Sequence, residues 1–76
     1  MRDKLIDLKG KMLAVQNLDD GLYIKAPMAK TWHEKIIEVG DDYFIVEHVW
    51  TPPRQNDPRK PIIWAISAVK KISGEI

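Results

Sequence analysis

The stretch Lys35-Ile36-Ile37-Glu38-Val39-Gly40-Asp41-Asp42-Tyr43-Phe44-Ile45-Val46-Glu47-His48-Val49-Trp50 decides the fold class. It reads as an apolar strand, an acidic turn and a second, longer strand, a hairpin pattern with turn residues at its centre. Downstream, residues 51–61 carry Pro52, Pro53, Pro58 and Pro61 together with Arg54, Arg59 and Lys60. Proline cannot donate to a strand ladder, so this segment is expected to be an exposed loop. The run Ile62 to Ile66 then reads as a further strand, Ser67-Ala68-Val69 as a brief turn, and Lys70-Lys71-Ile72 as a short last strand. That order predicts a mainly β chain, a small and strongly bent barrel.

Upstream, Arg2 to Lys9 sets Leu5, Ile6 and Leu8 among charges, which suits a short helix stopped by Gly10 or an extended arm. Lys11 to Gln16 is a strand candidate through Met12, Leu13, Ala14 and Val15. Asn17-Leu18-Asp19-Asp20-Gly21 holds an Asp-Gly turn signal, and Leu22 to Ala26 is placed to return as its hairpin partner, ended by Pro27. Residues 17–31 are therefore an inserted hairpin or a loop. Trp32 to Val39 is a strand throughout.

With 76 residues the chain makes one domain, 1–76, near the lower end of what a single core supports. It has no cysteine, so neither a disulfide nor a four-thiolate zinc site can supplement that core, and close packing or association must. Cysteine-free composition fits an intracellular protein. Twelve basic against eleven acidic residues leave a net charge of +1, without the basic excess of a duplex-DNA binder. No run approaches the roughly 20 apolar residues that span a bilayer, and the chain is expected to be cytoplasmic, with no membrane partner.

The strands are apolar on both sides. Phe44 and Val46 share one face of their strand, while Tyr43, Ile45 and Val49 share the other; Ile62, Trp64 and Ile66 oppose Ile63 and Ala65 in the same way. Such strands need cover twice. Either the curvature of the barrel and the N-terminal segment provide it, or a neighbouring subunit does.

The pattern Glu38-Val39-Gly40-Asp41-Asp42-Tyr43-Phe44-Ile45-Val46-Glu47, a variable loop, and Ile62-Ile63-Trp64-Ala65-Ile66-Ser67-Ala68-Val69 resembles the Sm-like family of small barrels. It is most similar to the bacterial host-factor branch, with Lys9-Gly10-Lys11 standing before the first strand. Other five-stranded barrels of the SH3 type share so short a pattern. The resemblance implies a five-stranded, SH3-like barrel with a short N-terminal helix. It further implies a ring of identical subunits, joined through the fourth strand of one and the fifth of the next, with single-stranded RNA on one ring face. By position, the implied RNA contacts are Asp41, Asp42 and Tyr43, then Ile62, Ile63 and Trp64. Tyr43 matches an aromatic on which a base stacks. Ile63 and Trp64 depart from the branch, which has a basic residue and a histidine there, and Asp41 with Asp42 repel phosphate.

Stacking on an aromatic ring contributes about 1–3 kcal/mol per base whatever the sequence. Trp32, Tyr43, Trp50 and Trp64 are the rings available, with Arg54, Arg59 and Lys60 as auxiliary cations. The competing role for each ring is core or subunit contact, which is the expectation for Trp32 and Trp50. The RNA-binding candidates are thus Asp42, Tyr43, Ile63 and Trp64. No catalytic, metal or cofactor residues are assigned. His33-Glu34 begins like a zinc-protease helix, but Ile37 stands where the second histidine belongs. His33 and His48 alone leave a metal short of ligands. Asp19-Asp20 and Asp41-Asp42 serve as turn formers. The two functions left open are an RNA-binding ring and a non-enzymatic structural or adaptor barrel that binds protein partners and no RNA.

Overall fold

Burial alternates in two separate segments, Leu22 and Ile24 in one and Phe44 and Val46 in the other, and these side chains make the inner faces of two sheets. The computed structural model describes residues 1–51, 60–74 and 76. Its elements run α1 (Arg2–Leu8), β1 (Ala14–Leu18), β2 (Gly21–Lys25), β3 (Trp32–Val39), β4 (Tyr43–Trp50), β5 (Ile62–Ala65), a 3-10 helix (Ile66–Ala68) and β6 (Val69–Ile72). The architecture is mainly β, six strands with one short α-helix, and the strands lie in two three-stranded sheets ordered β1-β2-β6 and β3-β4-β5.

The hairpin read around Gly40-Asp41-Asp42 is present, and the Asp-Gly signal, left open between hairpin and loop, also forms one. β1 and β2 pair antiparallel from Ala14↔Lys25 to Leu18↔Gly21, leaving only Asp19 and Asp20 as the loop. The turn is shorter than the Asn17–Gly21 signal implied, because Asn17 and Leu18 still pair across it. Gly21 is required at its exit. Its φ is +141°, and a Cβ there would stand 2.8 Å from the Ala68 carbonyl oxygen. β3 and β4 pair antiparallel, with a bulge at Ile37 between the pairs Ile36↔Val46 and Glu38↔Ile45; an unpaired extra residue of this kind bends a strand. β5 adds antiparallel to β4, Phe44 opposite Trp64 and Ile45 opposite Ile63. β6 returns to pair with β2 in parallel, Tyr23 opposite Lys71 and Ile24 opposite Ile72.

The sheets meet at one corner. Leu13 and Glu34 each donate a backbone N–H to the other's carbonyl, at 3.0 and 2.7 Å. The Glu34 side chain adds a third bond, accepting the Val15 N–H on Oε1 at 3.2 Å. Leu13 thus turns towards β3 while Ala14 starts the ladder with β2, which is why the first strand begins later than the apolar run from Lys11 suggests. His33 and Glu34 are both buried, 5% exposed each. His33 is a buried strand residue; a single sequence does not separate that from a surface position.

The core is one cluster: Leu5 and Leu8 of α1, Leu13, Leu22 and Ile24, Ile36, Phe44 and Val46. Full burial of such side chains contributes about 1.5–3 kcal/mol each. The N-terminal segment is therefore a helix, and it covers part of the inner sheet face. Among the described residues the sheets are not hydrogen-bonded into a closed barrel; β5 and β6 each lie at the end of their sheet. Residues 52–59 of the proline-rich segment, including Arg54 and Arg59, lie outside the described residues; Thr51, Lys60 and Pro61 at its ends are exposed. Among the described residues no helix is long and apolar enough to cross a membrane.

Candidate nucleic-acid interface

The turn Gly40-Asp41-Asp42 is held from three sides. The Gly40 N–H donates to the Tyr43 carbonyl at 2.8 Å and closes the turn. Arg2 Nε at the start of α1 donates to the Gly40 carbonyl at 2.8 Å. The Asp42 carbonyl accepts the Ile66 N–H at 2.9 Å, tying the turn to the 3-10 helix. The Tyr43 ring lies over Gly40 so closely that a Cβ on that glycine would overlap it. One ring face is thereby packed.

Tyr43 Oη donates to Glu38 Oε2 at 2.7 Å. That hydrogen bond, followed by the Glu38 charge, burial, and the Asp42 and Asp41 charges, raises the phenol above its ordinary pKa of 10.0. The ring stays neutral at physiological pH and its hydroxyl faces a carboxylate. Three acidic side chains, Glu38, Asp41 and Asp42, thus surround the aromatic, with Arg2 beside them. Phosphate is repelled from such a surface.

The candidates do not all share a face. Directly opposed residues of paired strands project to the same side. Ile63 lies across from Ile45 on the outer face, diagonal to Tyr43, and is 67% exposed. Trp64 lies across from Phe44 on the inner face, half-buried and packed against the core. Its indole Nε1 is buried without a hydrogen-bond partner. Asp42 is exposed beside Tyr43. The structure thus brings Asp42, Tyr43 and Ile63 to one surface and turns Trp64 away from it. Lys60 is exposed ahead of the start of β5, the end far from Tyr43.

The other two indoles pair with each other in register, Trp32 opposite Trp50 at the open end of the β3–β4 hairpin. The Trp32 ring also meets His48, centroids 6.0 Å apart at 49°. Both tryptophans are half-buried. Among the described residues no group of three or more His, Asp or Glu is placed to hold a metal ion. Two contacts that shape the site were not signalled by the sequence. Arg2 reaches a turn 38 residues away, and Glu34 looks like an ordinary polar strand residue until the β1–β3 corner exists.

The fold and site define a small, mainly β chain with an exposed apolar strand, β5, beside an acidic, aromatic turn. No family model matches the chain, and no curated protein or solved structure matches it.

Proposed function

We propose that this chain is an Sm-like protein that assembles as a homo-oligomeric ring and binds single-stranded RNA, stacking bases on aromatics near the pore or rim. In this reading the two sheets, linked at Leu13 and Glu34, are one strongly bent SH3-like barrel with one strand beyond the five that the resemblance implies, left open between β5 and β6. The observation that carries it is β5. Ile62, Ile63 and Ala65 are exposed on a strand with one edge unpaired among the described residues, and β6 ends the other sheet in the same way. Two different free edges on one molecule favour head-to-tail pairing, which closes into a ring when the rotation allows. Tyr43 and Ile63, with Asp42 at the turn, form the RNA contact surface; Trp64, on the inner face against the core, lies away from it. Arg54, Arg59 and Lys60 are auxiliary cations. The reading assigns no catalysis and no cofactor, and places the protein in the cytoplasm.

The acidic setting of Tyr43 favours the second reading, a structural or adaptor barrel whose apolar β5 binds protein and never RNA. Native mass spectrometry of nuclease-treated protein, followed by binding of short A-rich and U-rich strands at low salt, separates the two. A closed species of several copies that binds RNA, and loses affinity with Tyr43→Ala, is the expected result. A monomer or dimer that binds neither strand leaves the adaptor reading.

A further inference from the structure

Leu22 and Ile24 of β2 are buried in the core, so alternation turns Tyr23 and Lys25 outwards. β6 lies parallel to β2 with Lys71 opposite Tyr23, and its chain continues through Ser73, whose N–H donates to the Ile24 carbonyl at 2.8 Å. Between these two strand ends lies a cavity of about 380 Å³ lined by Tyr23, Ile24, Lys25, Lys71, Ser73 and Gly74. That volume falls within the roughly 300–1,000 Å³ of small-molecule sites. Ser73 and Gly74 also line a second hollow of about 200 Å³, whose α1 side carries Lys4 and Asp7. Gly74 has no side chain to divide the two.

The cleft is held ready for an anion. Lys25 Nζ donates to Gln16 Oε1 at 2.7 Å, which positions the ammonium and leaves two of its N–H donors. Lys71 is exposed and, among the described residues, in no ion pair. Tyr23 is fixed from behind, its hydroxyl donating to Asp20 Oδ2 at 2.6 Å, so the ring forms a wall whose orientation is set. The chain carries a net charge of only +1. Glu38, Asp41 and Asp42 sit together at the β3–β4 turn, whereas Lys25 and Lys71 line this cleft, with Asp20 at its margin on the Tyr23 hydroxyl and Lys4 and Asp7 on the second hollow.

We propose that the cleft between β2 and β6 binds the phosphate of a nucleotide unit between Lys25 and Lys71, with the base against Tyr23. The ligand is a free mononucleotide or one unit of a single-stranded RNA. In the RNA form the proposal rests on the reading above and moves the backbone contacts away from the acidic turn. Pairing at the free edge of β6 leaves the cleft open, because its side chains project from the sheet face.

The test titrates the full chain with adenosine monophosphate and, separately, with A-rich and U-rich octanucleotides at low salt. The expected result is binding that weakens about tenfold with Lys71→Glu or Lys25→Gln and persists with Lys71→Arg. Each lysine removed should also flatten the salt dependence of octanucleotide binding by about 0.7 in log–log slope. Amide shifts at Ser73 and Gly74 in the unsubstituted protein, read by NMR as the monophosphate is added, give the same answer without relying on a variant's folding. Failure of both probes to bind, or binding that both lysine variants retain, overturns the cleft. Monophosphate binding that needs Lys71 without octanucleotide binding keeps the cleft and removes the RNA reading. Octanucleotide binding lost with Tyr43→Ala but kept with Lys71→Glu does the reverse.

Discussion

Tyr43 is constrained by its immediate sequence neighbours: Gly40 beneath the ring, Glu38 on the hydroxyl, Asp41 and Asp42 alongside. A phenol that donates to a carboxylate resists ionisation, so its folded-state pKa lies above the ordinary value. Linkage gives the sign. The contribution of this group to stability is present below pH 10.0 and is lost as pH rises through the raised folded value. Tyr23 behaves alike through Asp20. Ultraviolet titration should therefore find both tyrosines ionising above their ordinary value, and Glu38→Gln should bring one of them down; an unchanged curve would contradict the Tyr43–Glu38 bond. Glu34 is the second residue whose role is individual. Replacing it by alanine strands the Val15 N–H at a buried corner, and denaturant unfolding should register a loss of about 1–3 kcal/mol. The Gly40-Asp41-Asp42 turn beside Tyr43 was legible because its turn residues are adjacent, whereas the Arg2 and Ile66 contacts that hold it were not. Nor was the Glu34 contact, since Val15 is 19 residues away.

At the scale of elements, β5 is the one that departs most from a self-sufficient sheet. Its inner residue Trp64 packs against the core, but Ile63 is 67% exposed on the other side and, among the described residues, one edge of the strand is unpaired. Exposed apolar edges invite pairing with another chain. Ile63→Asp should therefore leave the circular dichroism spectrum and thermal midpoint nearly unchanged while dispersing any assembly seen by sedimentation, because desolvating an unpaired charge at an interface costs several kcal/mol. A variant that keeps the size of the wild type places the interface elsewhere. β3, β4 and β5 could be read from apolar runs and from the glycine and acidic residues between the first two. The apolar run suggests a strand through Ile66, but β5 ends at Ala65. The 3-10 helix starts at Ile66 because its N–H is claimed by the Asp42 carbonyl, a contact with a distant turn.

The whole molecule is a small core assembled from distant segments. Leu5, Leu22, Phe44 and Val46 meet there from a helix and both sheets. Phe44→Ala removes the largest fully buried side chain and should cost about 3–5 kcal/mol. For a domain of this size that approaches the entire stability, so the variant should lack a cooperative thermal transition; a sharp transition near the wild-type midpoint would mean the core tolerates the cavity. The mainly β class, the hairpin at Gly40–Asp42 and the sidedness of Phe44 and Val46 were determined by the sequence alone, which left the N-terminal segment between helix and arm and residues 17–31 between hairpin and loop. These depend on turn residues and on a two-residue period, both local. Tertiary structure decided three things: that β6 lies parallel beside β2, that Glu34 closes the corner between sheets, and that Tyr23, Lys25 and Lys71 border one cleft. Each joins residues 19 to 48 positions apart. No local pattern encodes such a pairing; it follows from where the chain can bury Leu22, Ile24 and Ile72 together.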